Sequence, residues 1–299
     1  MTIRFGVSPI AWINDDMPEL GGDTPLEDVL RDIQQVGFGG VELGGKFPRD
    51  PDELRQLLGQ YHLDLVGGWY SSNLLARDAD AEIEALRDHL ELLQALGSQV
   101  FIIAETSNAI HGNRSLPLTN SPTLSDEEWQ GFGERLTRVA DFIHGQGLRL
   151  AYHHHLGTIV ETGPQLQRFL DVTGDSVGLT LDTGHAALGG IDAVSVVSQV
   201  PDRIVHVHCK DVRRSVFETI YNGGNSFLDG VLRGMFTVPG DGDLDFQPLF
   251  EALSGVDYSG WIIVEAEQDP AIANPLAFAR IGLGTLRDKA RQARLEAAS

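Results

Sequence analysis

The sequence predicts a closed barrel of eight parallel strands, each followed by a helix, built as one domain over residues 1–299. Short apolar runs of strand length alternate with longer amphipathic stretches from end to end, which implies repeated strand–helix–strand units and a parallel sheet. An open, doubly wound sheet shares that alternation, but no Gly-rich phosphate fingerprint follows the first run. The third observation is chemical. Histidines and carboxylates gather where the later strands end, and barrels of this class place their working side chains at those ends.

Taken in order, Ile3 to Val7 reads as the first strand. Thr24 and Glu27 are spaced as a capping box with Pro25 at the first helical position, and Gly37 is the stop. Gly40 to Leu43 and Leu63 to Gly67 read as the second and third strands, and the apolar run Gln99 to Ala104 as the fourth. Ser125 and Glu128 open a long helix that runs to Gly145. Leu148 to His153 is the fifth strand, and Thr162 and Gln165 cap the helix after it. Val177 to Asp182, Ile204 to His208 and Trp261 to Glu265 complete the eight. From Ser215 to about Gly242 runs a Gly- and Phe-rich connection. Connections this long are functional or disordered. Its apolar content favours a folded, lid-like insertion at 215–242 over the barrel mouth, with a packed decoration or an oligomer contact as the alternative.

Composition narrows the partners. The 299 residues are 42% hydrophobic, enough for a large core, and carry a formal net charge of −21. Such a surface repels phosphate backbones and anionic bilayers, so neither nucleic acid nor membrane is the expected partner. Cys209 is the single cysteine, which rules out an intrachain disulfide and suits a reducing compartment. The opening MTIRFGVSPIAW lacks the basic-then-apolar pattern of a secretory signal, and no apolar run reaches membrane-spanning length. The expected location is the cytoplasm.

Strand ends carry the chemistry. The fifth strand ends in Tyr152-His153-His154-His155, and the sixth in Leu181-Asp182-Thr183-Gly184-His185. The seventh carries His206-Val207-His208-Cys209-Lys210-Asp211, and the eighth ends in Val264-Glu265-Ala266-Glu267. Six of the ten histidines lie in the first three of these segments. Alternation puts His153 with His155 on one face, His206 with His208 and Lys210 on another, and Glu265 with Glu267 on a third. Imidazoles beside carboxylates suit a divalent transition metal. One ligand per strand gives Asp182, His208, Glu265 and either His153 or His155. His206, deeper than His208, reads as a hydrogen-bonded interior residue. His154 faces the helical layer, and Glu267 reads as a partner for its own loop. Asp182 has a second reading, as the cap of the following helix.

The order LDTGH, then HVH, then a strand-ending Glu resembles the xylose-isomerase-like barrel superfamily of epimerases, isomerases and dehydratases. The segments SPIAWINDDMPELGG at 8–22, VGGWYSS at 66–72, AYHHHLGT at 151–158, HVHCKDVR at 206–213, SFLDGVLRGMFTVPGDG at 226–242 and VEAEQDP at 264–270 resemble the inosose dehydratase family more closely. The superfamily resemblance implies a Glu, Asp, His, Glu set around one divalent metal. Asp182, His208 and Glu265 match three of these, and His153 stands where the first Glu is expected. The family resemblance implies a hydro-lyase acting on a cyclic polyol ketone, with Mn²⁺ or Co²⁺. It also carries a glutathione requirement, for which the sequence offers no thiol-handling site. Barrel relatives are commonly homo-oligomers.

Loss of water from such a ketone needs a base for the α-hydrogen and an acid for the β-hydroxyl. Lys210 is assigned as base, its pKa expected to fall beside the cation, and His155 as acid, with the swapped roles as the alternative. Substrate hydroxyls need polar partners, for which Asn14, Glu42, Lys46, Glu105, His185 and Arg214 are the candidates at other strand ends. Trp12 and Trp69 offer flat walls for a ring, or ordinary core packing. Three other readings compete. A sugar epimerase needs two metal-bound glutamates, and one of those positions is His153. A repair nuclease needs a basic groove. A non-catalytic sugar-binding protein has no need of so many clustered histidines.

Overall fold

The computed structural model describes residues 2–297. Eight parallel strands close into a barrel: β1 Ile3–Val7, β2 Gly40–Leu43, β3 Asp64–Ser72, β4 Val100–Glu105, β5 Arg149–His153, β6 Val177–Asp182, β7 Ile204–Cys209 and, after two short strands, the closing strand Gly260–Val264. The short strands are β8 (Asp211–Val212) and β9 (Phe236–Thr237), which pair with each other antiparallel, so the closing strand is β10. β10 hydrogen-bonds to both β1 and β7 and shuts the ring. An open sheet is thereby excluded.

Strand alternation, interrupted in β7 by a register shift at Val205, divides the residues between two cores. Phe101, Ile103, Leu150, Tyr152, Leu179 and Val207 face outward and pack under the helices. Val100, Ile102, Ala151 and Val205 face the barrel axis, as do Val66, Trp261 and Ile263. Gly178 makes room for this inner packing: a Cβ there would lie 2.0 Å from Val205 Cγ2. The lower barrel is therefore an apolar plug, and polar side chains begin only above it.

Two register shifts re-aim side chains at the mouth. Between β2 and β3, Val41 pairs with Leu65 but Leu43 pairs with Gly68, so β3 gains a residue. Trp69 then stands beside the inward-facing Ile102. Between β6 and β7, Leu179 pairs with Ile204 and Thr180 with His206, which brings Asp182 level with His208. β3 also runs on to Ser72, five residues past its expected end at Gly67.

The first helix departs from expectation. It spans Leu26–Val36 with Pro25 as N-cap and no side-chain cap bond, so the Thr24–Glu27 box does not form. Pro25 is extended, with ψ 139°, and the first turn starts one residue too late for that box. The boxes of Ser125 with Glu128 and Thr162 with Gln165 do form. The 215–242 connection folds into helices Arg214–Asn222 and Phe227–Leu232, followed by β9. Phe227, Leu228, Val231, Met235 and Phe236 make a second small core with Met17, Leu118 and Leu156 from the barrel's loops. Asp211 ties down the returning strand by accepting the amides of Gly240, Gly242 and Leu244. None of the described helices is long and apolar enough to cross a membrane.

Helix Asp126–Gly145 meets helix Gly163–Val172 closely at Gly133, where a Cβ would lie 2.2 Å from the Val172 carbonyl oxygen. Gly133→Ala should therefore destabilise the protein by about 1–3 kcal/mol, although alanine is the better helix former. Urea unfolding measures this. Stabilisation would mean that the two helices separate without cost.

Candidate metal centre and active site

β5, β6, β7 and β10 each deliver one side chain to a single buried point. His153 Nε2 lies 3.3 Å from His208 Nδ1 and 3.6 Å from Asp182 Oδ2, and His208 Nδ1 lies 2.9 Å from Glu265 Oε2. One ligand atom from each of the four residues lies within 4.8 Å of the others. Asp182 Oδ1 accepts the His185 amide at 2.8 Å, while Oδ2 is buried and has no hydrogen-bond partner. An unpaired buried carboxylate oxygen is expensive. Two imidazole nitrogens and two carboxylates aimed at one point fit a divalent cation, which would satisfy that oxygen.

The ring of His208 is fixed from behind. Glu42 Oε1 accepts from Nε2 of His208 and from Nε2 of His206, each at 2.8 Å, which turns His208 Nδ1 toward the cluster. Burial works against the Glu42 carboxylate, but His208 and His206 outweigh it and hold its pKa down at about 2. Burial likewise opposes charge on His208, and Glu42 and Glu265 reverse the sign, holding it well above the ordinary histidine value. His153 goes the other way, lowered by burial, as suits a neutral ligand ring.

A second group of polar side chains stands beside the first. Lys210 Nζ lies 3.0 Å from Glu267, 3.1 Å from Glu265, 3.6 Å from Asp182 and 3.1 Å from His185 Nε2. Its backbone is clamped by Thr183, whose Oγ1 donates to the Lys210 carbonyl at 2.7 Å and accepts its amide at 2.9 Å. Gly184 leaves space for its stem, since a Cβ there would lie 2.8 Å from Lys210 Cγ. The fall in the Lys210 pKa expected beside a cation concerns the metal-loaded site; the side chains alone act in the other direction. Burial lowers it, but Asp182, Glu265 and Glu267 together hold it well above the usual lysine range. His155 Nδ1 donates to the Leu156 carbonyl at 2.7 Å, so in the neutral ring Nε2 carries the lone pair, 3.7 Å from Glu267.

These groups open onto a cavity of about 370 Å³, within the usual range for small-molecule sites. Lys210, His155, His153, His208, Glu265, Glu42 and Trp69 line it. His185 is buried just behind, its ring 3.7 Å from that of His155.

Four expected substrate partners stand elsewhere. Glu105 falls on the outward parity of β4 and is consumed by Ser72, Leu74 and Ser107. Lys46 is exposed and donates to the carbonyls of Gly22 and Thr24. Arg214 caps nothing in the cavity but reaches the Ala187 carbonyl, at a separate surface cleft beside Asp243. Asn14 accepts the amides of Asp16 and Met17, shaping the turn that brings Asp15 and Asp16 to the cavity rim. Trp12 is buried and donates to Asp32, so it is a packing residue. Glu267, assigned to its own loop, lines the cavity instead. His111 and Arg49 also line it, from loops with no local motif. Cys209 is fully buried, and burial pushes its thiol well up, first among causes that include Asp182 and Asp211. Such a thiol does not exchange with glutathione.

Because Glu42 orients His208, Glu42→Gln should weaken divalent-metal binding about 10- to 100-fold with the fold intact. Calorimetric titration with Mn²⁺ checks this. Unchanged affinity would remove Glu42 from the metal centre.

A family model described as xylose isomerase-like TIM barrel matches residues 30–289. The rhizopine catabolism protein MocC of Rhizobium meliloti is 48% identical over 282 residues, covering 94% of this chain and 87% of that protein. An inosose dehydratase of Lacticaseibacillus casei is 40% identical over 282 residues, covering 93% of this chain and 94% of that one. Among solved structures, that of an L-ribulose 3-epimerase superposes with a TM-score of 0.68 at 18% identity, covering 98% of this chain and 96% of that one, and speaks for the fold alone. This chain belongs to the xylose isomerase-like TIM barrel family, in the group that contains MocC and the inosose dehydratases.

Proposed function

We propose that this chain is a hydro-lyase that removes water from 2-keto-myo-inositol to give a trihydroxycyclohexane-dione. In this reading His153, Asp182, His208 and Glu265 hold one divalent metal, Mn²⁺ or Co²⁺. The observation that carries the reading is a four-ligand metal cluster touching a lysine–histidine pair, in a chain whose relatives at 37–40% identity over 93–97% of its length are named inosose dehydratases. When bound, the cation supplies Lewis-acid stabilisation for the negative charge that grows on the ketone oxygen as the α-hydrogen leaves.

The protein's own groups move the protons. His155 Nε2 takes the α-proton, because its Nδ1–H is already committed to the Leu156 carbonyl. Glu267 stands close enough to stabilise the imidazolium that forms. Lys210, held as an ammonium among three carboxylates, donates a proton to the β-hydroxyl as its C–O bond breaks, and the group departs as water. These roles are the swapped alternative that the sequence left open. Each proton transfer is worth roughly 10²–10⁴-fold. Phe227 and Phe236 lie over His155 and His185, and the insertion that carries them serves as the cover that keeps water from the site. Glu42 and Trp69 remain the substrate-facing candidates. His153 stands in place of the second glutamate that two-sided epimerisation needs, which favours elimination. A second reading places this turnover in rhizopine catabolism, the process for which the 48%-identical MocC is named. Loss of growth on rhizopine in a deletion strain would favour it.

Metal-stripped protein incubated with 2-keto-myo-inositol should form the dione, followed by its ultraviolet absorbance, only after Mn²⁺ or Co²⁺ is added. No dione with any divalent metal would overturn the reading. In deuterated water, His155→Gln should lose exchange of the α-hydrogen together with turnover. Lys210→Met should retain exchange while dione formation falls about 10²–10⁴-fold. The reverse pattern would restore lysine as the base.

A further inference from the structure

His111 stands outside every motif considered above, yet it forms part of the cavity wall. Its ring centroid lies 4.8 Å from that of His155 and 6.5 Å from that of Trp69. The loop that bears it is clamped to the loop after β5: the Ile110 amide donates to the Gly157 carbonyl at 2.8 Å, and the Gly157 amide donates to Glu161 at 2.7 Å. Gly157 has φ +78°, and a Cβ there would lie 3.0 Å from the His111 nitrogen. Only glycine permits this approach. The position of His111 relative to His155 is therefore built in.

The two ring nitrogens of His111 differ. Nδ1 is sealed from water and has no hydrogen-bond partner. A neutral imidazole carries one N–H, and orphaned buried donors are the rarer kind of unsatisfied group, so the hydrogen belongs on Nε2. Burial, with His155 and His153 nearby, keeps the ring neutral by lowering its pKa to about 3. Nε2–H is thus a fixed donor with no partner from the protein, facing a cavity that must pair the hydroxyls of its ligand.

We propose that His111 is a specificity-determining residue, whose Nε2–H hydrogen-bonds one oxygen of the bound cyclic polyol on the Trp69 side of the cavity. This rests on the reading of the substrate as a cyclic polyol ketone. A pocket built to pair a hydroxyl penalises the analogue that lacks it far more than a purely apolar pocket does.

The test compares His111→Phe, which removes the donor, with His111→Gln, whose amide restores a donor near the Nε2 position. Turnover of 2-keto-myo-inositol and its monodeoxy analogues is measured, with calorimetric binding of myo-inositol as a non-reacting probe and Mn²⁺ affinity as a control. In the wild type, one monodeoxy analogue should show a kcat/KM about 10- to 100-fold below the parent ketone. His111→Phe should lose the same factor on the parent ketone, become indifferent to that one missing hydroxyl, and keep its Mn²⁺ affinity. His111→Gln should recover most of the loss. Equal kcat/KM in wild type and His111→Phe, or an unchanged analogue pattern, would overturn the proposal while leaving the dehydratase reading standing. If the wild type forms no dione, the dehydratase reading falls alone, and myo-inositol binding decides the role of His111. Binding weakened by His111→Phe and restored by His111→Gln supports it; equal binding overturns it.

Discussion

One carboxylate oxygen organises the centre of this molecule. Glu42 Oε1, from β2, accepts hydrogen bonds from two imidazoles of β7, on the far side of the barrel axis. The bonds lie directly above the apolar plug, where the barrel interior changes from hydrocarbon to charge. Burying a carboxylate in such a place is costly unless charge and hydrogen bonds compensate it. Here the compensation is the pair of rings, and its consequence is orientation. His208 spends Nε2 on Glu42 and has only Nδ1 left to offer, toward His153, Asp182 and Glu265. The geometry of the candidate ligand set thus depends on a bond made by a residue that stands outside those four side chains.

Above that bond, charge balance continues in layers. The acidic residues of the site are matched by one lysine and by imidazoles whose protonation is set by their neighbours. Lys210 touches Asp182, Glu265 and Glu267, and so links the candidate ligand set to the polar group beside it. That link is made possible by the Asp182-Thr183-Gly184-His185 turn. Asp182 caps the short helix that follows, Thr183 grips the Lys210 backbone, Gly184 yields space for its stem, and His185 meets its Nζ. The capping and metal-ligand readings of Asp182 are therefore not rivals. One oxygen caps, and the other, with no hydrogen bond of its own, faces His153 and Lys210 in the cluster.

The insertion after β7 completes the site with apolar rather than polar matter. Its two phenylalanines lie against the histidine rings, and its small core draws in one side chain from each of three barrel loops.

Much of this was legible from one sequence. The alternation of apolar and amphipathic runs determined a parallel sheet covered by helices, because strands buried on both faces read as continuous apolar runs, and the missing Gly-rich fingerprint after the first strand favoured the closed barrel over the open sheet. The parity of His153, Asp182, His208 and Glu265 along their strands determined that they converge, because side chains two apart share a face. Parity also contained the answer for Glu105, which lies on the outward set with Phe101 and Ile103. Other features were decided only in three dimensions. Trp69 faces the cavity because a register shift adds a residue to β3; Gly67 and Gly68 are compatible with a bulge there, but only strand pairing decides that one forms. His111, Asp16 and Arg49 arrive from loops whose paths are set by long-range bonds such as Ile110 to Gly157. Lys46 and Arg214 stand near strand ends in the sequence yet turn away, because backbone carbonyls of neighbouring loops hold them. The charge on Lys210 was likewise a tertiary matter. The sequence determined which groups would meet, but their charges follow from distances of 3–4 Å to partners on other strands, where electrostatic energy varies most steeply.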